Sequence, residues 1–315
     1  MSNTPSPWGE LSGVELTKGQ GTGNDFIFVK DPTGTLELDQ DLVARACDRH
    51  FGFGADGFIR AIKTENLIEG KHLLEEHPDA TWFMDYRNAD GSLSEMCGNG
   101  VRAFIEYLRT ESLIDLEEGG RVVIGTRAGI KAVAMVENGY AVDMGPWSFI
   151  DGDSARDNGH DAMVNARGLK TTRPAVSISM GNPHTVVALG TEGKLDGLGL
   201  ETAPKVTPVP PNGTNVEFVV PEEIEETEAE TSEVNVGAIR MRVHERGVGE
   251  TLSCGTGACA AAAATRFWGG EEAPDEWLVH VPGGTLAVTF VLGPDNLEHV
   301  VLAGPAVMTG KMTLA

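Results

Sequence analysis

Two short turns in this chain of 315 residues place a cysteine next to glycines. They are Cys97-Gly98-Asn99-Gly100 and Cys254-Gly255-Thr256-Gly257, and each precedes a segment with helical character. A cysteine just before a helix lies near unpaired backbone N–H groups and the positive end of the helix dipole, which favours thiolate and lowers the cysteine pKa. The glycines let the backbone approach a ligand, and their N–H groups can hold a carboxylate. Each turn therefore predicts a thiol that exchanges a proton with the carbon next to a carboxylate.

The two cysteine turns belong to an internal repeat. Three motif pairs recur in the same order at nearly constant spacing: Cys97–Gly100 with Cys254–Gly257, Gly23–Phe26 with Gly181–His184, and Asp143–Pro146 with Leu302–Pro305. Such matches in register indicate two copies of one structural unit. If a pseudo-twofold relates the copies, one sulfur lies on each face of a bound carbon. One thiolate would then remove a proton while the opposite thiol returns one, which inverts a stereocentre.

The elements that must position these turns are mostly strands, with few helices. Short runs rich in Val, Ile and Phe, bounded by Gly, Asp, Asn or Pro, are typical of strands. They include Phe26–Val29, Arg121–Ile124, Ile130–Val136, Val176–Met180, Thr185–Leu189, Val216–Val220, Leu278–Val281, Leu286–Leu292 and His299–Leu302. Helices are predicted at Asp39–His50, Val101–Ser112 and the alanine-rich Ala258–Trp268.

Composition and charge exclude several classes of partner. The chain has 24 basic and 47 acidic residues and a net charge of −23, which repels nucleic-acid backbones and anionic lipid. No apolar run approaches the roughly 18 residues that span a bilayer. The first ten residues lack the basic and apolar regions of a signal peptide, so we expect a cytoplasmic protein with reduced cysteines. Cys254 and Cys259 have poor zinc-ligand spacing and no histidine pair follows them, so no metal is expected.

Two segments are predicted to be solvated surface insertions. Residues 61–81 mix charges and histidines without a clear period, and residues 222–233 are rich in glutamate. Cys47 and Cys259 lie outside the repeated turns and are expected to act as small buried hydrophobic residues.

Six motifs together carry a resemblance to a known family. In chain order they are Gly21–Phe26, Asn88–Ser92, Glu95–Gly100, Gly181–His184, Thr214–Glu217, and Glu245-Arg246-Gly247 followed by Cys254–Gly257. They closely resemble the diaminopimelate epimerases, cofactor-independent enzymes that interconvert LL- and meso-diaminopimelate. The motifs run from Gly21 to Gly257, and Gly304-Pro305 also fits, so the resemblance covers most of the chain.

This resemblance implies an α+β fold of two similar domains related by pseudo-twofold symmetry. Each would be a curved, mostly antiparallel, barrel-like sheet around a central helix. The expected domains are residues 1–141 plus 300–315, and residues 142–299. The resemblance also implies a homodimer without a cofactor, acting on a small molecule in lysine and peptidoglycan precursor biosynthesis.

The resemblance further assigns roles to individual residues. Cys97 and Cys254 would be the acid and base of a two-base mechanism, while His184 and Glu245 would set the protonation of the thiols. Arg246 would bind the far carboxylate of the substrate, to which a guanidinium can donate two hydrogen bonds. The remaining predicted substrate-binding residues are Asn24, Asn88, Gly98, Asn99, Asn182, Asn215, Glu245, Gly255 and Thr256. Backbone N–H groups of Gly98-Asn99 and Gly255-Thr256 would hold the reacting carboxylate.

One departure and three alternatives remain at this stage. Many relatives carry glutamine where Gly57 stands, so one substrate contact would be absent or replaced by water. The chain could be another two-cysteine isomerase of the same fold, similar to proline racemase or to phenazine-biosynthesis enzymes. A redox dithiol protein would need a Cys-x-x-Cys pair, which the sequence lacks. A non-catalytic amino-acid-binding protein would not need both cysteines.

Overall fold

The short apolar runs bounded by turn residues form strands in the computed structural model, which describes residues 6–222 and 235–315. The chain divides into two compact units, Met1–Val142 with Gly304–Ala315, and Asp143–Ala303. From the sequence, we expected the first domain to be interrupted after residue 141 and the second to end at residue 299. The last strand of the chain pairs with the first, which places it in the first unit.

The elements are numbered in chain order. The strands are β1 Glu15–Gly21, β2 Asn24–Lys30, β3 Gly57–Lys63, β4 Trp82–Asn88, β5 Arg121–Thr126, β6 Gly129–Val136, β7 Gly139–Pro146, β8 Ser148–Phe149, β9 Ala162–Asn165, β10 Arg173–Ser179, β11 Pro183–Ala188, β12 Lys205–Thr207, β13 Asn215–Glu222, β14 Val236–Glu245, β15 Gly249–Thr251, β16 Glu276–Val281, β17 Gly284–Leu292, β18 Glu298–Gly304 and β19 Val307–Thr313. The α-helices are α1 Gln40–Cys47, α2 Leu73–Glu76, α3 Gly98–Thr110, α4 Gly152–Asn158, α5 Glu192–Asp196 and α6 Gly255–Gly269. Single 3₁₀ turns occur at Gly9–Leu11, Thr64–Asn66, Ile68–Gly70 and Gly270–Glu272.

The first unit is a mixed, mostly antiparallel sheet. β1 pairs antiparallel with β2 and with β19. β2 is parallel to β3, β3 is antiparallel to β4, and β4 is parallel to β5. β5, β6 and β7 then form antiparallel pairs. The helix α3 follows β4 and packs against β1 to β4 and β19.

The second unit repeats this order of pairings. β10 is antiparallel to β11, β11 is parallel to β13, and β13 is antiparallel to β14. β14 is parallel to β16, and β16, β17 and β18 pair antiparallel. The helix α6 packs against this sheet, as α3 does in the first unit. The same succession of parallel and antiparallel pairs in both units confirms the predicted repeated α+β fold.

The two central helices, α3 and α6, are both buried, but with different kinds of side chain. α3 is amphipathic and packs Phe104, Ile105 and Leu108 against the sheet. α6 carries a run of buried alanines from Ala260 to Ala264, which gives high helix propensity with little bulk. Because alanine side chains are short, the surrounding strands can approach this helix closely on several sides.

The predicted strands and helices are present, with boundary shifts of one to a few residues at most ends. The first predicted helix is shorter than expected, because Asp39 caps it and it ends at Cys47. Cys47 and Cys259 are buried, as predicted. Among the described residues, no helix has the length and apolar character needed to cross a membrane.

The prediction of a solvated insertion at residues 61–81 was wrong at both ends. Ala61 and Ile62 are buried within β3, which is paired with β2 on one side and with β4 on the other. Thr64 and Ala80 are also buried, and the Thr64 hydroxyl donates to the Ala80 carbonyl oxygen. The other predicted insertion, residues 222–233, lies outside the described residues except for Glu222 at the end of β13.

Candidate active site

Cys97 lies at the N-cap of α3, in extended conformation, and is half-buried. Its Sγ lies 3.5 Å from Oδ1 of Asn24, which follows the tight turn between β1 and β2. The thiol donates and the amide oxygen accepts in this contact. Gly98 is the first residue of α3, where the backbone N–H groups of the opening turn point out of the helix. The structure therefore places a thiol, a carboxamide and a helix N-terminus together in the first unit.

A charged cluster holds the Asn24 side chain. Asn24 Nδ2 donates to Oδ2 of Asp56 over 2.8 Å, and Asp56 also pairs with Arg49. Arg49 and Lys18 both contact the neighbouring Asp25. Burial by itself raises the pKa of Asp25, but the hydrogen bonds from Arg49 and Lys18 outweigh it and hold the pKa well below its usual range. Sequence reasoning missed Asp56, although an acidic residue between glycines, in Gly54-Ala55-Asp56-Gly57, is a turn signal that could have drawn notice.

The other predicted residues of this half make contacts within the unit. Asn99 is buried, and its Oδ1 accepts a 2.9 Å hydrogen bond from the fully buried Arg102, which also donates to the hydroxyl of Thr22. Asn88 Nδ2 donates to the hydroxyl of Ser92 over 3.0 Å. Asn24 is thus hydrogen-bonded to the thiol, whereas Asn88 is hydrogen-bonded to Ser92 within its own turn.

The space beside Gly57 is filled by the ring of Tyr86. A Cβ atom at position 57 would lie 2.5 Å from Cε2 and 3.2 Å from the hydroxyl oxygen of this tyrosine. The ring also packs edge-on against Phe26, with 5.9 Å between the ring centroids. The ring of Tyr86, from the neighbouring strand, thus occupies the space that a larger side chain at position 57 would need. From the sequence, we expected a missing substrate contact or a water there.

Cys254 lies at the N-cap of α6 and is buried. Its Sγ accepts a hydrogen bond from the Gly257 N–H over 3.4 Å and lies 3.6 Å from the Thr256 hydroxyl oxygen. Burial raises the pKa of Cys254 well above its ordinary value, and the negative charge of Glu245 raises it further. The expectation of a lowered pKa was therefore wrong for Cys254, because loss of hydration outweighs the helix N-terminus. Cys254 is a thiol near neutral pH.

A chain of side chains connects Cys254 to the interior of its unit. Asn182 Nδ2 donates to the Thr256 hydroxyl over 3.4 Å, and Asn182 Oδ1 lies 3.0 Å from Nε2 of His184. The imidazole is fully buried, and its Nδ1 lies 2.7 Å from Oε1 of Glu217. The structure therefore brings the predicted residues Asn182, His184, Thr256 and Cys254 together.

Glu217 is a candidate that sequence reasoning missed. Its side chain is fully buried, and burial raises its pKa although the neighbouring His184 opposes this effect. The signal was available, since Glu217 is an acidic residue within the otherwise apolar run of β13 and shares a strand face with Asn215. An acidic residue in a buried strand is rare unless it is paired.

The other predicted residues of this half lie at the ends of β13 and β14. Asn215 Oδ1 accepts from the backbone N–H of Arg246 over 2.9 Å, while its Nδ2 donates to the carbonyl oxygen of Pro183. The Arg246 guanidinium donates to the carbonyl oxygen of Asn212 over 2.8 Å. Glu245 accepts a hydrogen bond from the hydroxyl of Thr251. Gly255 is the first residue of α6, where backbone N–H groups lack partners inside the helix.

Each unit thus presents a thiol at the N-terminus of its central helix. Asn24 is hydrogen-bonded to the first thiol, and the Thr256 hydroxyl lies between Asn182 and the second. This arrangement can hold a carboxylate on backbone N–H groups and move a proton at an adjacent carbon. Across residues 6–222 and 235–315, no three or more histidine, cysteine, aspartate or glutamate side chains cluster as metal ligands.

Comparison with solved structures identifies the fold. A phenazine biosynthesis protein of the PhzF family from Bacillus anthracis superimposes with a TM-score of 0.62 at 17% identity, over 95% of this chain and 98% of that one. A hydroxyproline epimerase from Agrobacterium vitis gives a TM-score of 0.57 at 15% identity, over 95% and 91% of the two chains. At these identities the likeness establishes the shared two-unit fold.

Comparison with curated sequences identifies the family. The family model described as diaminopimelate epimerase matches residues 16–150 and 176–309, one segment in each repeat. A diaminopimelate epimerase of Rhodococcus jostii (strain RHA1) is 40% identical over 315 residues, which cover 96% of this chain and 97% of that protein. The diaminopimelate epimerase of Mycobacterium tuberculosis (strain ATCC 25177 / H37Ra) is 38% identical over 313 residues, with 95% and 96% coverage. Because the family model matches most of the chain and such relatives extend over nearly all of it, this chain is an isomerase of the diaminopimelate epimerase family.

Proposed function

We propose that this chain converts LL-2,6-diaminopimelate to meso-diaminopimelate by a two-base mechanism, with Cys97 and Cys254 as acid and base. The observation that carries the proposal is the recurrence of one arrangement in both repeats: a cysteine at the N-cap of the central helix, followed by glycine. Inversion without a cofactor requires two proton-transfer groups, and the repeat supplies one thiol from each unit.

In this mechanism the carboxylate next to the reacting carbon is held by backbone N–H groups at the starts of α3 and α6. Negative charge that develops on removal of the α-proton is stabilised there by the fixed dipoles of the helix N-termini. Cys254 is protonated near neutral pH, so it can act as the acid. In that direction of the reaction, Cys97 acts as the base. The reverse direction exchanges the two roles.

The remaining residues hold the substrate or set the state of the thiols. Asn24, Asn88, Asn182 and Asn215 would offer carboxamides to the amino and carboxylate groups, and the exposed guanidinium of Arg246 would move from Asn212 to the distal carboxylate. Glu245, whose negative charge raises the pKa of Cys254, would assist together with His184. We also propose a cytoplasmic homodimer that serves lysine and peptidoglycan precursor biosynthesis.

Proton exchange with solvent tests this function directly. In D₂O, the purified protein is expected to convert LL-diaminopimelate to the meso isomer and to introduce one deuterium at the inverted α-carbon, since the incoming proton comes from a thiol in exchange with solvent. Chiral chromatography and mass spectrometry measure both products. Proline serves as the competing substrate, because turnover of proline in place of diaminopimelate would indicate a proline racemase-like enzyme.

Cysteine variants test the mechanism. Cys97→Ala and Cys254→Ala are each expected to lower epimerisation by at least about 10³-fold, because each removes one proton-transfer group. Cys47→Ala is the matched control, since Cys47 is a buried cysteine outside both turns, and it is expected to retain activity. Full activity in either turn variant would rule out the two-base mechanism.

A further inference from the structure

The carboxyl group of Glu217 is enclosed by the second unit. It projects from β13 between apolar neighbours, with none of its side chain exposed. One oxygen, Oε1, lies 2.7 Å from Nδ1 of His184. The other, Oε2, has no hydrogen-bond partner in the described part of the chain. An ionised carboxylate with one oxygen unsatisfied in such surroundings is costly, whereas a carboxyl group that shares a proton is tolerated.

The hydrogen-bond pattern around His184 fixes where the protons lie. Asn182 donates from Nδ2 to the Thr256 hydroxyl, so its Oδ1 faces Nε2 of His184 and accepts from it. With Nε2 protonated, the short contact between Nδ1 and Oε1 must contain a further proton. The pair then carries no net charge, whether this proton resides on His184 or on Glu217.

We propose that Glu217 is a positioning residue: by sharing a proton with Nδ1, it keeps His184 protonated at Nε2 and thereby fixes the orientation of the Asn182 carboxamide on the Thr256 hydroxyl, which lies 3.6 Å from Sγ of Cys254. Without that proton, Nε2 would become an acceptor, and the Asn182 carboxamide would rotate to donate to it. Asn182 would then present its oxygen, rather than its amide, toward Thr256. This inference rests on the proposed function for its catalytic consequence only.

The packing around Gly257 supports this assignment. A Cβ atom there would lie 2.8 Å from Oε1 of Glu217 and 3.2 Å from Sγ of Cys254. The first turn of α6 therefore lies directly against both groups, and neither can move closer to the helix. Burial and the nearby histidine act in opposite directions on the pKa of Glu217, and burial prevails, which agrees with a retained proton.

Glutamine and alanine variants separate positioning from packing. Glu217→Gln keeps the shape and donates an N–H to Nδ1, whereas Glu217→Ala removes the partner. We expect the alanine variant to lose about 10- to 100-fold in kcat/KM for diaminopimelate, by analogy with the loss of a hydrogen-bond partner that orients a metal-binding histidine. The glutamine variant is expected to recover to within about threefold of the unmodified chain, since it preserves the required histidine tautomer.

The state of His184 is read independently of activity by ¹⁵N NMR of the imidazole nitrogens, assigned with His184→Gln. The unmodified chain and Glu217→Gln are expected to show a protonated Nε2, and Glu217→Ala a mixture of tautomers. Glu222→Gln is the matched control, because Glu222 lies on the same strand near another histidine, His280, at 3.5 Å. It is expected to leave the His184 signals and the activity unchanged.

Two outcomes would overturn the inference. One is an unchanged His184 tautomer in Glu217→Ala. The other is equal activity of the glutamine and alanine variants at equal free energy of unfolding. If the unmodified chain does not act on diaminopimelate, the proposed function fails, and the NMR comparison still decides the role of Glu217.

Discussion

Cys47 and Cys254 carry the same thiol group, but their surroundings give it different chemistry. Cys47 is packed in the apolar cluster around α1, and burial raises its pKa to about 12. The pKa of Cys254 is raised by burial as well, but this thiol also has the Thr256 hydroxyl and the Gly257 N–H beside it. The second environment places a hydroxyl and an N–H directly beside the sulfur, where they can take part in proton transfer. The residue type alone therefore does not identify a catalytic thiol.

The raised pKa of Cys47 predicts a loss of stability in alkali. Below pH 9 the thiol is protonated in both folded and unfolded chains, so its full contribution is present. Between pH 9 and about pH 12 only the unfolded chain releases the proton, and the free energy of unfolding falls by about 1.4 kcal/mol per pH unit from this group. Urea unfolding at several pH values measures the slope.

Cys47→Ala supplies the comparison for that slope. The variant is expected to lose stability at pH 7 through the missing sulfur, but its stability should decline less steeply above pH 9. Buried tyrosines such as Tyr107 and Tyr140, whose pKa values are also raised by burial, contribute equally to both proteins and cancel in the difference. Parallel pH profiles for the two proteins would contradict the assignment.

At the scale of elements, the start of α6 combines close packing with chemistry. Its first turn contacts the buried Glu217 and carries Cys254 as the cap, while the alanines that follow let the strands approach. The start of α3 is packed equally closely, since a Cβ atom at Gly21 would lie 2.7 Å from the carbonyl oxygen of Asn99. Gly21 and Gly257 are therefore required by packing.

Gly257→Ala is expected to lower the free energy of unfolding by about 1–3 kcal/mol, because the added methyl group overlaps Oε1 of Glu217 and presses on Sγ of Cys254. Denaturant unfolding measures this change. Gly193→Ala is the matched control, since Gly193 is an exposed helical glycine with no atom near an added Cβ. That control is expected to gain about 0.5–1 kcal/mol through helix propensity. A stability gain in both variants would show that the α6 turn has room for a side chain.

At the scale of the whole molecule, two features stand out: the repeated strand order of the two units and a net charge of −23. The repeat means that most residues near one thiol have a counterpart near the other. The side chains at matching positions nevertheless differ. Asn24 is held by Asp56, which pairs with Arg49, while Asn182 faces the buried pair of His184 and Glu217. A duplicated fold thus provides two thiols with unequal surroundings.

The net charge predicts that salt stabilises the protein. Raising NaCl from 10 to 150 mM shortens the screening length from about 30 to about 8 Å and weakens repulsion among the excess acidic groups. We expect the thermal midpoint to rise by about 1–2 °C, as for a gain of about 1 kcal/mol in a chain of this size. Circular dichroism during heating measures the shift. The rise should level off at higher salt, and a midpoint that falls between 10 and 150 mM would contradict the expectation.

Much of this protein follows from local sequence. The paired Cys-Gly turns, the strands bounded by turn residues and the repeat all depend on neighbours along the chain, so spacing and residue type were sufficient to predict them. The family motifs identified Asn182, His184, Thr256 and Cys254, which the structure then brings together.

The tertiary structure alone decided the electrostatic state of the site and the contacts between distant segments. Burial of Cys254 reversed the predicted direction of its pKa, because hydration depends on how the whole unit packs around the thiol. Glu217 and His184 meet across two neighbouring strands, and the ring of Tyr86 fills the space beside Gly57 from the next strand. Strand register and packing create these contacts, and no local pattern of residues encodes them.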